Sequence, residues 1–194
     1  VSFGFSDGQR LVFSLEIRKE RDETFSALGG FFRKFEQVIV ASDERDLIRT
    51  RSNVRGEQVY LYRLRATPAQ LRSVLLDYLG RAERLRRQPE FYNTLTSNCT
   101  TILFELARRI DPALPLDYRL LASGHFAEYA YDQGALTSGL PYTVLRDRGH
   151  INARAIASDA DAHDFSQAIR AGVPGIAAPA GSTVSDQLLK INRP

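Results

Sequence analysis

The sequence predicts an α+β fold in which an antiparallel sheet packs on helices and a cysteine stands at a helix N-terminus. Three stretches carry that expectation: a hairpin pattern at the start, a long amphipathic run behind Thr67, and a second amphipathic run opening on Cys99. With 194 residues, 43% hydrophobic and 25% charged, the chain holds enough apolar side chain for one core, or one core plus a tail. No stretch approaches the roughly 18 to 20 uninterrupted apolar residues of a membrane-spanning helix.

The elements follow in order. Val1–Phe5 and Leu11–Ile17 flank Asp7-Gly8, a strong hairpin signal. In the second strand Leu11, Phe13, Leu15 and Ile17 share one face, and Val12, Ser14, Glu16 and Arg18 share the other. Charged residues 18 to 23 and Gly29-Gly30 mark a loop, Phe31–Phe35 reads as a short cover, and Gln37–Ala41 reads as a buried strand. Asp43 caps a short helix to about Arg51, and Gln58–Leu64 (QVYLYRL) has the composition of another strand.

Thr67-Pro68-Ala69-Gln70 combines an N-cap, a proline at the first helical position and a capping-box glutamine. Behind it Leu71, Val74, Leu75, Tyr78, Leu79, Ala82 and Leu85 recur at helical spacing as far as Pro89. From Cys99 a further stripe of Ile102, Leu103, Leu106, Ala107 and Ile110 ends with Arg108-Arg109, where cations complement the helix dipole. Leu120–Tyr131 holds one more short helix. Beyond Ala157 the composition shifts to Ala, Gly, Ser and Pro, so residues 158–194 read as a tail, with a helical turn or two near Phe165–Ala171.

The net charge is +3, from 26 basic and 23 acidic side chains, and only Lys19, Lys34 and Lys190 among the basic ones are lysine. Arg81, Arg84, Arg86 and Arg87 could track a nucleic-acid backbone or an anionic lipid. They also describe a solvated helix face, with Glu83 interspersed and Asp77 one turn before Arg81. The modest net charge and the absence of interleaved aromatics favour that second reading over nucleic-acid binding. The chain lacks methionine, including at residue 1, which marks it as a processed or truncated piece.

Cys99 is the sharpest chemical feature. It follows Asn98, a capping-type residue, and opens an amphipathic helix whose unpaired N–H groups favour a thiolate and can hold an oxyanion. Asn98, Thr100 and Thr101 add hydrogen-bonding side chains around it. A lone cysteine is also the usual form of a small buried hydrophobe. A thiol nucleophile needs a base, and the three histidines, His125, His150 and His163, all lie outside confident strands, with His125 and His150 as fallback bases. One cysteine and three histidines suggest no zinc site of the usual type, and no cofactor is called for. Ligand spacing does not support a metal site around Asp43, Glu44 and Asp46.

A resemblance then enters on several blocks. Ser2-Phe3-Gly4-Phe5, Ser14-Leu15-Glu16-Ile17-Arg18, Ser42 through Arg49 (SDERDLIR), Asn53-Val54-Arg55-Gly56-Glu57 and Phe91 through Thr101 (FYNTLTSNCTT) resemble the Lnb-type N-terminal periplasmic domain family, a bacterial cell-envelope family long catalogued as a domain of unknown function. The likeness runs from Val1 to about Ala157. It implies a permuted papain-like (NlpC-type) fold, related to the lecithin:retinol acyltransferase group, in which a histidine strand precedes the cysteine helix. It also implies Cys99 as nucleophile, Asn98, Thr100 and Asn93 as its oxyanion or support residues, and Tyr92 just before them. The family's histidine lies directly before the Ser-Phe-Gly-Phe block, upstream of Val1, and the member that gives the family its name transfers an acyl chain within lipoproteins through a cysteine thioester.

Glu16 is the candidate to orient that imidazole. The alternative is a structural pair with an arginine such as Arg18 or Arg49. The expected function is a cell-envelope thiol acyltransferase or hydrolase working through a Cys99 thioester. Its substrate would be an acylated lipoprotein, a lipid or peptidoglycan, at the periplasmic or outer face of the inner membrane, with membrane association. The alternatives are a noncatalytic envelope binding module and a peptidoglycan amidase or peptidase.

Overall fold

A computed structural model describes residues 1–18, 35–92, 99–121, 123–160 and 165–176. The fold is α+β, with a small three-stranded antiparallel sheet ordered β1 (Ser2–Gly4), β2 (Arg10–Arg18), β3 (Glu36–Asp43). The Asp-Gly turn works as its chemistry requires. Gly8 takes φ 88°, the left-handed region open to glycine, its N–H donates to Phe5 O at 3.1 Å, and Asp7 Oδ1 accepts Gln9 N at 3.0 Å. Ser2 pairs with Val12 and Phe3 with Leu11, while Leu15 pairs with Ile39 and Glu16 with Val38. That register keeps the apolar and mixed faces of β2 apart.

Each face buries against different helices. Phe3, Phe13 and Leu15 pack on Val74, Leu75 and Tyr78 of α2 (Pro68–Arg87) and on Ile102 and Leu106 of α3 (Cys99–Ile110). Phe13 stacks on Tyr78 with ring centroids 5.0 Å apart, and Phe3 meets Phe13 edge-on at 5.8 Å. On the opposite face Val12 joins Ile48 of α1 (Glu44–Arg49), Ile151, Ala155 of α6 (Asn152–Ala157), and Phe165 and Ile169, which lie in and just beyond α7 (Phe165–Ala168). Two smaller clusters involve α4 (Phe126–Asp132) and α5 (Tyr142–Gly149): Phe104, Leu120 and Tyr129 form one, and Ala130, Leu136 and Leu145 the other.

Local capping explains where the helices start. Thr67 and Gln70 form the full capping box, with Thr67 N donating to Gln70 Oε1 at 2.8 Å and Gln70 N to Thr67 Oγ1 at 3.3 Å. Asp43 caps α1 by accepting Arg45 N at 2.8 Å. The helix expected there to about Arg51 ends at Arg49 and runs on as a π-type turn, Thr50–Val54.

Several expectations need correction. Gln58–Leu64 is extended but is not a sheet strand, because among the described residues it makes only isolated bridges, Tyr60 with His150 and Leu64 with Leu136. Its backbone bonds go instead to helix ends and loops: Leu61 N to Gly149 O at 2.8 Å, Ile151 N to Val59 O at 3.0 Å, and Thr137 N to Arg63 O at 3.1 Å. Gly149 permits that crossing, since a Cβ there would stand 2.6 Å from Leu61 O. Gln37–Ala41 is a strand, yet it lies at the sheet edge, and Val40 is exposed rather than buried. Leu79 faces solvent although it fits the helical stripe of α2.

The helix expected over Leu120–Tyr131 begins as two 3₁₀ turns, Tyr118–Leu120 and Ser123–His125, before α4. The turn near Phe165 is present, and it is not peripheral. Phe165 and Ile169 are fully buried and Val173 nearly so, and the core therefore continues beyond Ala157. The loop expected up to Gly30 and most of the Phe31–Phe35 cover lie outside the described residues, although Phe35 itself is fully buried.

Candidate functional site

Cys99 is the first residue of α3, a 12-residue helix held on the sheet by Ile102 and Leu106. Its neighbour Thr100 is buried, and Thr101 is half-buried. Phe104, one and a half turns on, packs on Leu120 and Tyr129, so α3 is gripped on two sides. Arg108 and Arg109 occupy its last turn, as the dipole favours. The backbone at Cys99 therefore belongs to the first turn of a rigid, amphipathic helix, where N–H groups lack intrahelical acceptors. Asn93 and Asn98 lie outside the described residues. Tyr92 reaches back to the sheet side, with its N–H donating to Phe35 O at 2.7 Å.

Glu16 projects from β2 on the face opposite the one that carries α3. There its Oε1 accepts Ser14 Oγ at 2.6 Å and the Arg51 guanidinium, while Arg51 also binds Glu57 Oε2 at 2.8 Å. Arg18 and Arg49, the partners considered from sequence, go elsewhere: Arg18 to Glu36 at 3.5 Å, Arg49 to Asp159. Arg51 lies in the π-type turn that follows α1, and its guanidinium bridges Glu16 and Glu57. Both charges of the pair are about 30% exposed.

Of the histidines, His125 is exposed and lies 3.5 Å from Glu128. His150 is half-buried, with Nε2 2.7 Å from Gln58 Oε1 and its ring 5.0 Å from that of Tyr60. His163 lies outside the described residues. The structure does not bring His125 or His150 into the sheet beside α3. Among the described residues no cluster of His, Cys, Asp and Glu could hold a metal ion.

The Asp43, Glu44 and Asp46 group divides by role. Asp43 caps α1, whereas Glu44 is wholly buried and clasps Arg170, with Ser2 Oγ donating to Glu44 Oε1 at 2.6 Å. Burial pushes the Glu44 carboxyl up, but the hydrogen bonds and charge of Arg170, aided by the Ser2 and Ser166 hydroxyls, hold it below the ordinary value. Sequence reasoning missed this pair because its partners stand 126 residues apart and Arg170 lies in a segment read as tail. The arginines of α2 behave as a helix surface: Arg86 and Arg87 both hold Glu83, and Arg81 spans Glu90 and Glu105.

A small antiparallel sheet lies between helices, one of which opens on Cys99, the only cysteine of the sequence, and together they make an α+β domain. A model of the Lnb N-terminal periplasmic domain family matches residues 1–124, and the chain belongs to that family. No curated protein and no solved structure matches the chain. The family is periplasmic, and no helix among the described residues is long and apolar enough to cross a membrane.

Proposed function

We propose that the protein is a thiol acyltransferase or hydrolase of the cell envelope, on a permuted papain-like scaffold, acting on lipoprotein or lipid acyl chains. The observation that carries this reading is the placement of Cys99 at the head of a helix anchored on the sheet, in a chain of a periplasmic family. The order of elements, a hairpin first and the cysteine helix later, fits the permuted arrangement.

The Cys99 thiolate attacks an acyl carbonyl, and helix N–H groups with Asn98 and Thr100 stabilise the oxyanion. The carbonyl re-forms as the leaving alcohol or amine departs with a proton, leaving a thioester. A second amine, hydroxyl or water then takes the acyl group and frees the thiol. The base is the histidine expected upstream of Val1. Phe13 N donates to Val1 O at 2.9 Å, so β1 extended backward runs alongside Ser14, Leu15 and Glu16, and Glu16 would orient an imidazole there by giving up its Arg51 and Ser14 partners.

One observation favours a second reading, a noncatalytic binding module: the Glu16 carboxylate is already taken up by Arg51 and Ser14. The two separate on the complete protein incubated with a phospholipid or diacylated lipoprotein donor. The enzyme reading predicts a hydroxylamine-labile acyl adduct on the peptide containing Cys99. It also predicts loss of turnover by on the order of 10⁴-fold or more in Cys99→Ala. Turnover that survives Cys99→Ala removes the nucleophile assignment, and absence of any adduct or turnover favours the module.

A further inference from the structure

Arg65, directly after the extended run Gln58–Leu64, lines a cleft of about 370 Å³ together with Tyr131 and Asp132 at the end of α4 and Leu136, Ser138 and Leu140 in the loop before α5. That volume falls within the roughly 300–1,000 Å³ of ligand pockets. The backbone around the cleft is fixed from within the chain. Arg65 N donates to Ala135 O at 2.8 Å, Leu64 bridges Leu136, and Tyr131 Oη donates to Leu140 O at 3.1 Å.

The charged groups of the cleft, by contrast, keep bonding capacity in hand. Among the described residues the Arg65 guanidinium bonds only Gly134 O, at 3.5 Å, and meets no carboxylate. Asp132 Oδ2 accepts Arg119 Nη1 at 2.6 Å, while Oδ1 takes no partner among the described residues. The exposed Ser138 adds a hydroxyl. Apolar wall is supplied by Leu136, Leu140 and the Tyr131 ring, which pack in one cluster.

Tyr131 also begins a row of half-buried tyrosines that leads away from the cleft. Its ring centroid lies 5.6 Å from that of Tyr142, Tyr142 lies 6.4 Å from Tyr62, and Tyr62 lies 6.5 Å from Tyr60. The Arg146 guanidinium covers the Tyr60 ring at 5.8 Å.

We propose that this cleft binds an uncharged sugar ring. One cation and one anion share it, so a ligand with net charge of either sign would meet a like charge. A pyranose carries no charge, and its hydroxyls both donate and accept, which suits a guanidinium fork beside a free carboxylate oxygen. Its C–H face suits an aromatic and aliphatic wall, and the tyrosine row offers further amphipathic surface to the next rings of a chain. The site uses none of the residues assigned to the thiol chemistry, so it stands or falls independently of Cys99.

The test titrates the 194-residue chain with N-acetylglucosamine, glucose and the uncharged tetramers chitotetraose and maltotetraose, read by nuclear magnetic resonance shifts and calorimetry. Saturable binding of at least one of them is expected. Arg65→Gln and Asp132→Asn should each weaken it by at least about tenfold, since each removes hydrogen bonding by a charged group. Both side chains are exposed, and Arg119 keeps Asp117 at 2.8 Å in the second variant, so both variants are expected to fold. Tyr131→Phe should bind like the parent, because the hydroxyl is committed to Leu140 O, whereas Tyr131→Val, which lacks the ring, should bind more weakly. Arg84→Gln, on the surface of α2, should change nothing. Tighter binding of a tetramer than of its monomer identifies a glycan chain lying along the tyrosine row, and equal binding identifies a free sugar held in the cleft. No saturable binding of any of these sugars, or Arg65 and Asp132 variants that bind like the parent, would overturn the site.

Discussion

Replacing Arg170 with alanine is expected to lower the unfolding free energy by about 3–5 kcal/mol, because it strands the Glu44 carboxylate in the core without its countercharge. Glu44 is wholly buried and Arg170 is 9% exposed, so water cannot substitute for the missing guanidinium. Arg170 Nη1 also satisfies Ser166 O at 2.6 Å, which would lose a donor. Equilibrium urea unfolding reads the loss. Glu44→Leu combined with Arg170→Met should recover much of it, since an apolar pair carries no unpaired charge, though Ser2 Oγ and Ser166 O would each lose a partner.

The same pair gives the fold a pH dependence. The Glu44 carboxyl is held below its unfolded value of about 4.3, so its contribution is present above that pH and is lost as the pH falls through the lower, folded value. In Arg170→Ala the sign reverses, because burial alone raises the carboxyl, and the variant should gain relative stability on acidification. A variant whose deficit does not shrink toward pH 4 would contradict the assignment of Glu44 as the stranded charge.

A chain ending at Ala157 is expected to lose cooperative folding. It forfeits Phe165, Ile169 and Val173 from the core, together with Arg170. Burying each large apolar side chain is worth about 1.5–3 kcal/mol, and stranding Glu44 adds its own cost. The total rivals the roughly 5–15 kcal/mol that holds a domain together. Near-ultraviolet circular dichroism and thermal melting check this, with loss of a sharp transition predicted and an unchanged transition contradicting it. The family match ends at residue 124, yet Val12 and Ile48 are covered by Ile151, Ala155, Phe165 and Ile169. One face of the matched region is completed by chain that follows it.

What the sequence made legible was local chemistry. Asp7-Gly8 specified its turn, Thr67 and Gln70 their capping box, Asp43 the start of α1, and the stripe from Ile102 to Ile110 the helix behind Cys99. The rest was not legible, because it depends on partners distant in sequence. The Gln58–Leu64 run has strand composition, but a strand needs a neighbour, and this one meets the end of α5 and the loop near Thr137. Leu79 obeys the helical period, yet it is exposed.

The candidate site divides along the same line. A cysteine at a helix start is readable from Cys99 onward. The partner of Glu16 was not readable, because Arg51 stands 35 residues away in sequence and meets β2 only through tertiary packing. Arg170, in a stretch whose composition reads as tail, gives no local sign that it completes the core.

The most direct measurement is the rate at which iodoacetamide alkylates the only cysteine of the native chain as a function of pH. A nucleophile at the head of α3 should react in the folded state, with a half-maximal rate below about pH 7.5, under the ordinary thiol value of about 8.5. Protection of Cys99 until denaturant unfolds the domain would contradict the account.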